Sequence, residues 1–189
     1  MTPNKSAMPY DPEKHHRRSI RLKEYDYSEP GGYFITLCTQ DWKCLFGKVE
    51  KEQMRLSEYG HVVQACWDAI PQHYPHVMLD AFVVMPNHMH GILVITDSGL
   101  ATDAVGAGLP RPYDMDDEPT RRPTLGQMVA YFKYQSTKRM NAIRRAPGTK
   151  VWQRNYWERV IRNKKEGDRI RRYIEENPVR WFWDRYHVD

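Results

Sequence analysis

The sequence lacks long hydrophobic runs and is poor in cysteine. Its 189 residues contain no stretch of about 18 consecutive apolar residues, the length that a membrane-spanning helix needs. The N-terminal segment MTPNKSAMPYDPEKHHRR has no apolar core of the kind found in secretory signals. The three cysteines, Cys38, Cys44 and Cys66, form no CxxC pair, which argues against a disulfide scaffold and a cysteine-based zinc module. We therefore expect a cytoplasmic protein with no membrane partner.

Positive charge is concentrated in the C-terminal part of the chain. The whole sequence has a net charge of +5, but residues 133–185 alone contain 16 Lys and Arg against 6 Asp and Glu. Tyrosines and tryptophans are interspersed among these cations. Cations that contact phosphates beside rings that stack on bases favour binding of single-stranded nucleic acid. A solvated basic face is the simpler alternative.

Hydrophobic periodicity predicts a single domain in which strands and helices alternate. The predicted strands cover residues 32–39, 45–49, 77–85 and 88–96, with one or two short strands in 151–161, and the predicted helices cover 56–73, 124–145 and 166–176. Ser57 is the expected N-cap of the first helix. This order favours an α+β fold with one antiparallel sheet and helices packed mainly on one face, most commonly the ferredoxin-like arrangement.

The first candidate site is the pair His88 and His90, which opens an apolar strand directly after Pro86 and Asn87. Residues i and i+2 of a strand point to the same face, so the two imidazoles would lie side by side. Two neutral imidazoles in this arrangement can share a metal ion. Two edge histidines that only make hydrogen bonds are the alternative, but histidine is a poor packing choice at the start of an apolar strand.

The second candidate site is Tyr173 with Asn177, which share one face of the last predicted helix. The amide oxygen of Asn177 is a hard ligand suited to Mg²⁺ or Mn²⁺. Equally, Tyr173 could be a packing residue and Asn177 a helix cap. In a third segment, strand alternation would place Trp152, Arg154, Tyr156 and Glu158 on one side, where they could also be ordinary core and surface residues.

Three segments resemble a known family when they are taken together and in order. They are AFVVMPNHMHGILVI, WQRNYWERVIRN and RRYIEENPVRW, and YFITLCTQ fits the family's first strand. They resemble the REP-associated tyrosine transposases of the wider single-tyrosine HUH transposase family, over about residues 15–183. The resemblance implies a ferredoxin-like HUH nuclease domain at 31–183, and residues 184–189 are left as a tail. The composition of the chain adds a basic arm at 1–30 and a flexible insertion at 97–123, which is rich in Gly, Pro and Asp and has no hydrophobic period.

The resemblance also implies roles for the candidate residues. His88 and His90 would bind a divalent cation, Mg²⁺ or Mn²⁺, and Tyr173 would be the nucleophile. Asn177 would complete the metal site, at a position where relatives commonly have glutamine. Tyr156 and Tyr134 are rival nucleophiles, but Tyr134 has no asparagine four residues later.

The implied activity is that of a metal-dependent single-stranded DNA endonuclease and strand transferase, which forms a 5′-phosphotyrosine intermediate at or near imperfect DNA hairpins. Some relatives exchange active-site helices within a homodimer and others act alone, so both states are open. The residues expected to contact DNA are basic side chains of the arm, of the helix at 124–145 and of the C-terminal part. They are Arg17, Arg18, Arg21, Lys133, Lys138, Arg139, Arg154 and Arg172.

Two other functions are compatible with the residues. The first is a non-catalytic protein that binds DNA or RNA hairpins and in which the histidine pair is structural. The second is a zinc-dependent hydrolase built on His88 and His90. That enzyme would need a third protein ligand, and His61, His73 and His76 have no metal-ligand spacing to the pair.

Overall fold

The computed structural model describes residue 22, residues 25–97 and residues 122–188. The expected DNA contacts Arg17, Arg18 and Arg21, with most of the arm and of the insertion at 97–123, lie outside the described residues. The strands are β1 (Gly31–Cys38), β2 (Gly47–Glu50), β3 (Gln53–Leu56), β4 (Val77–Val84), β5 (His88–Ile95) and β6 (Trp157–Ile161). The helices are α1 (Glu58–Asp68), α2 (Ile70–His73), α3 (Leu125–Ile143) and α4 (Lys164–Glu175). None of these helices is both long and apolar enough to cross a membrane.

The main sheet has four strands in the order β4-β5-β1-β6, and every neighbouring pair is antiparallel. The connection from β1 to β4 contains α1, and the connection from β5 to β6 contains α3. Two such interleaved β-α-β units define the ferredoxin-like arrangement, so the predicted fold class is confirmed.

A small hairpin of β2 and β3 precedes α1, and the sequence predicted only its first half. Leu56 ends β3 instead of starting the helix, and Ser57 is the N-cap, as predicted, accepting a hydrogen bond from the Gly60 amide. The predicted helix 56–73 is therefore wrong at its start. It is also interrupted at Ala69, directly before the short helix that contains Pro71, because proline cannot donate a helical hydrogen bond.

The side chains of β1 alternate between two apolar layers. Tyr33, Ile35 and Leu37 point into the larger core, which α1 and α3 cover. Phe34 points to the opposite face, where Ile170 and Ile174 of α4 pack. The helices α1 and α3 thus cover one face, and α4 covers the other.

The larger core reaches directly beneath the histidine strand. A Cβ atom at Gly91 would lie 2.5 Å from the Trp67 ring, so the absence of a side chain at Gly91 lets the indole pack against β5. The indole also stacks on Phe82, with ring centroids 4.7 Å apart. This close packing fixes the backbone of β5 next to His90.

The segment between α3 and β6 is irregular, so the predicted alternation from Trp152 to Glu158 is wrong for its first half. Trp152 is buried and donates its indole N–H to Ser136 Oγ at 2.9 Å, whereas Arg154 is exposed. Strand geometry begins only at Trp157. The indole therefore serves as an anchor that ties this segment to α3.

Candidate metal and nucleophile site

The two histidines occupy adjacent same-face positions of β5, as predicted. His90 pairs with Thr36 and His88 with Cys38 across the ladder between β5 and β1. Both imidazoles are fully buried on the face that α4 covers, with ring centroids 4.7 Å apart. The central strand β5 thus holds two imidazoles side by side, and α4 and the C-terminal tail cover them.

Hydrogen bonds at Nδ1 orient both rings. His90 Nδ1 lies 2.8 Å from Thr36 Oγ1, and His88 Nδ1 lies 2.9 Å from Asn87 Oδ1. The Asn87 amide is held in turn, because its Nδ2 donates to the carbonyl oxygen of Tyr186 at 2.7 Å. Since Asn87 presents its oxygen, His88 carries the Nδ1 proton and keeps the lone pair on Nε2. Partners of this kind orient ligating histidines in metal sites.

The Nε2 atoms face two polar groups from the C-terminal part of the chain. The hydroxyl of Tyr173 lies 3.2 Å from His90 Nε2. Asn177 is buried nearby, and its Nδ2 donates to Asp184 Oδ2 at 3.2 Å. His88 Nε2 and Asn177 Oδ1 are buried, and neither has a hydrogen-bond partner of good geometry among the described residues. Two buried acceptors without a donor suit a site that receives a cation.

Asp184 is a functional candidate that sequence reasoning missed. One carboxylate oxygen of Asp184 and one ring nitrogen from each histidine all lie within 4.8 Å of one another. The sequence assigned Asp184 to a tail outside the domain, and no local spacing links it to the histidines. A 3₁₀ turn at Trp181–Trp183 returns the chain to the site, and the buried Tyr186 ring packs 4.7 Å from His88. The set of nitrogen and oxygen donors fits a divalent cation.

Burial shifts the protonation equilibria of the site. Desolvation lowers the pKa of His88 to about 3; the positive charge of Arg185 adds to this shift, and the neighbouring Asn177 amide opposes it. Desolvation also lowers the pKa of His90 well below its ordinary value, with further contributions from His88 and Arg185. Both imidazoles are therefore neutral at pH 7, which is the form that binds metal ions. Burial raises the pKa of Tyr173 to about 12, so its phenol keeps its proton.

A cleft of about 730 Å³ opens beside these groups, with Thr36, His90 and Tyr173 in its wall. Trp157 and Trp183 also line the cleft and are exposed, Trp183 by 83%. The exposed guanidinium groups of Arg180 and Arg185 complete its wall. The cleft therefore combines rings that can stack on bases with cations that can contact phosphates.

The rival tyrosines lie away from this cleft. Tyr134 is 62% exposed on α3, which covers the opposite face of the sheet. Tyr156 packs against the larger core, also on that opposite face. Of the three candidate nucleophiles, only Tyr173 shares a face with the histidine pair.

The expected DNA contacts on α3 lie behind the sheet. Lys138 and Arg139 are exposed there, but the sheet separates them from the histidines. Lys133 is half-buried and donates to the carbonyl oxygens of Gln153 and Arg154 at 2.6 and 3.2 Å. Burial lowers the pKa of Lys133 to about 8, and its ammonium group fixes the segment before β6.

Arg154 and Arg172 are the two expected DNA contacts that lie outside both the arm and α3. Arg154 is exposed in the irregular segment before β6, and Arg172 is exposed on α4 next to Tyr173. Of the expected contacts in the described part of the chain, Arg172 is the one on the helix that carries Tyr173.

Comparisons with known proteins place this arrangement in context. No family model matches the sequence. An uncharacterized protein of Haemophilus influenzae is 41% identical over 175 residues, which cover 93% of this chain and 95% of that protein. A second Haemophilus influenzae protein, described as "Putative REP-associated tyrosine transposase", is 24% identical over 183 residues and 87% of this chain. A solved structure of a REP-associated tyrosine transposase bound to a REP hairpin matches 89% of this chain and 76% of its own, with 20% identity and a TM-score of 0.57, which shows a common fold.

Proposed function

We propose that this chain, a member of the family of REP-associated tyrosine transposases, is a metal-dependent endonuclease and strand transferase that acts on single-stranded DNA at hairpins. One observation carries the proposal. The hydroxyl of Tyr173 lies 3.2 Å from His90 Nε2, next to a group of buried donors that fits a cation. A nucleophile and a metal site in contact, at the wall of an open cleft, are what phosphodiester cleavage requires.

Four side chains would hold the cation, Mg²⁺ or Mn²⁺. They are His88 and His90 through Nε2, Asn177 through its amide oxygen and Asp184 through its carboxylate. When bound, such a cation would polarise the scissile phosphate and neutralise the charge that gathers on its oxygens. The protein contributes the neutral imidazoles, their fixed orientation and a buried environment.

The phenol of Tyr173 would attack the scissile phosphorus in line with the leaving group. The phenolic proton passes to solvent, a bond forms between the phenolic oxygen and phosphorus, and the bond to the 3′ oxygen breaks. The 3′ oxygen leaves with a proton from solvent, which gives a 5′-phosphotyrosyl protein and a free 3′-OH. Because the adduct is still a phosphodiester, another 3′-OH can reverse the reaction and join strands without ATP.

The cleft suits unpaired DNA. The exposed rings of Trp157 and Trp183 offer stacking surfaces for unpaired bases, and Arg180 and Arg185 offer phosphate contacts. The homologous transposase was solved bound to a REP hairpin, which supports a hairpin with an unpaired flank as the substrate. One chain supplies Tyr173 and all four candidate ligands, which supports action without exchange of α4 between two subunits.

A zinc-dependent hydrolase is the second candidate, because Asp184 provides the third ligand that the histidine pair needs. Such an enzyme would use an activated water and would leave no protein–DNA bond. The covalent adduct therefore distinguishes the two functions.

The test is incubation of the protein with hairpin oligonucleotides and Mn²⁺, followed by a denaturing gel. A 3′ label should move with the protein, because Tyr173 would retain the 5′-phosphate of the downstream fragment, and a 5′ label should appear on a shorter free strand. Cleavage without an adduct would favour the hydrolase. No cleavage of any hairpin or unpaired strand would favour the non-catalytic hairpin-binding alternative.

A further inference from the structure

A second cleft, of about 880 Å³, lies where β6 meets α4, and basic side chains dominate its lining. Its six cations are Arg159, Arg162, Lys164, Lys165, Arg169 and Arg172, and its acidic residues are Glu166 and Asp168. We refer to these six cations as the β6–α4 basic surface. The six cations outnumber the two acids, and this excess of positive charge favours a polyanionic ligand.

The two acids neutralise only part of this charge. Glu166 pairs with Arg159 at 2.6 Å and lies 4.0 Å from Arg169, and Asp168 pairs with Arg171. The other four cations of the β6–α4 basic surface are exposed, and within the described ranges they have no ion-pair partner. They are Arg162, Lys164, Lys165 and Arg172. These four cations are free to neutralise phosphates and to release their counterions.

The β6–α4 basic surface adjoins the first cleft, beside Tyr173, which we call the catalytic cleft. Arg159 and Trp157 occupy alternate positions of β6 and therefore share the face that carries His90. Arg172 directly precedes Tyr173 on α4. Lys165 lies eight residues before Tyr173, which corresponds to roughly 12 Å along the helix axis. A DNA molecule seated on these cations would therefore reach the nucleophile within a few nucleotides.

The two clefts differ in their aromatic content. The catalytic cleft has exposed tryptophan rings, whereas the described residues that line the second cleft are charged or amide side chains without a ring. Unpaired bases need rings to stack on, whereas a duplex hides its bases and presents its phosphates. The second cleft thus suits double-stranded DNA.

We propose that the β6–α4 basic surface binds the phosphates of a hairpin stem and so directs the unpaired flank into the catalytic cleft. This inference rests on the proposed function for the identity of the ligand. It differs from the expectation that helix 124–145 contacts the DNA, because α3 lies on the opposite face of the sheet from Tyr173.

The test compares two triple variants in a Tyr173→Phe background, in which no adduct forms. One carries Arg162→Gln, Lys164→Gln and Lys165→Gln. The control carries Lys138→Gln, Arg139→Gln and Arg145→Gln, which remove the same charge from exposed positions of and beside α3. Binding of a labelled hairpin with an unpaired extension, and of the extension alone, is measured by fluorescence anisotropy at several salt concentrations.

The first variant should lose at least about tenfold in hairpin affinity, and the slope of log K against log salt should fall by about 2 to 3, since each phosphate contact contributes about 0.9. The control should change the slope by less than about 1. An unchanged slope in the first variant, equal losses in both variants, or an equal loss for the extension alone would overturn the inference. Adduct formation by the unmutated protein tests the proposed function separately, because the binding comparison does not depend on it.

Discussion

The hydroxyl of Tyr173 and Nε2 of His90 lie 3.2 Å apart, although 83 positions separate the two residues in the chain. Phe34 packs edge-on against the tyrosine ring, with centroids 6.2 Å apart, and lies 5.4 Å from the imidazole. The helix that carries the proposed nucleophile and the strand that carries the proposed ligands are therefore fixed against one another through β1. This contact predicts which tyrosine attacks.

Tyr173→Phe should abolish the covalent protein–DNA adduct, since the substitution removes only the attacking oxygen. Loss of one hydrogen bond should lower the free energy of unfolding by about 1 kcal/mol, so the variant remains folded and binds hairpin DNA. The measurement is the adduct band on a denaturing gel after incubation with Mn²⁺. Tyr134→Phe and Tyr156→Phe are the matched controls and should keep the band. An adduct that persists in Tyr173→Phe would show that another residue attacks.

Asp184→Asn should weaken Mn²⁺ binding by at least about tenfold, because the substitution removes a charged oxygen ligand and leaves a neutral one. Isothermal titration with Mn²⁺ measures this effect without any DNA. Asp168→Asn removes an exposed carboxylate of α4 that lies outside the group of candidate ligands, and it should leave the affinity unchanged. Equal affinities for the Asp184 variant and the unmutated protein would remove Asp184 from the site.

The buried histidines should make the metal-free protein unstable in mild acid. Burial lowers the pKa of His88 from 6.5 to about 3 and lowers that of His90 as well. Between pH 6.5 and about pH 3 the unfolded chain binds protons that the folded chain does not bind. The free energy of unfolding therefore falls as the pH falls. From pH 7 to pH 5 the loss from His88 should be about 2 kcal/mol, and His90 adds to the loss in the same direction.

Urea denaturation in EDTA at the two pH values measures this loss. A variant with His88→Gln and His90→Gln should show a much smaller dependence on pH, whereas His61→Gln, at an exposed position of α1, should behave as the unmutated protein does. The same acid sensitivity in the double variant would mean that other groups dominate the pH dependence.

The sequence was sufficient to predict the parts of the site that depend on local geometry. The spacing of His88 and His90 is enough to place both on one face of a strand. The helix predicted to carry Tyr173 and Asn177 on one face ends earlier, because α4 stops at Glu175. Asn177 lies in the turn that follows, where its backbone amide donates to the carbonyl oxygen of Ile174 at 3.3 Å. The apolar periodicity of residues 124–145 likewise predicted a helix, and α3 buries Leu125, Met128 and Phe132 in the larger core.

The parts that the sequence did not predict depend on long-range packing. Asp184 reaches the histidines only because the aromatic turn before it packs Trp181 near His88, with centroids 5.9 Å apart. Lys133 was expected to contact DNA, but its ammonium group donates to carbonyl groups of the irregular segment before β6. Periodicity also cannot tell which face of a sheet a helix covers, so the sequence could not show that α3 and α4 lie on opposite faces.

An ion pair connects α4 to the edge strand β4. The Arg171 guanidinium donates to both carboxylate oxygens of Asp80, with Nε at 3.0 and 2.9 Å, and it lowers the pKa of that carboxyl. Asp80 lies at an irregularity in the pairing of β4 with β5, where it also accepts a hydrogen bond from the Ala81 amide at 2.7 Å. The pair thus joins the helix that carries Tyr173 to a fixed point on the sheet.

Arg171→Gln should therefore lower the free energy of unfolding by about 1 to 2 kcal/mol, because the half-buried Asp80 carboxylate would lose a guanidinium that contacts both of its oxygens. It should also slow adduct formation, since α4 would be held less firmly against His90. Lys48→Gln, which removes a highly exposed ion pair with Glu50, is the control and should leave the free energy of unfolding unchanged. A double-mutant cycle with Asp80→Asn separates the pair from the individual side chains. If the losses of the two single variants simply add, the pair does not hold α4 in place, and the packing of Ile170 and Ile174 must be sufficient.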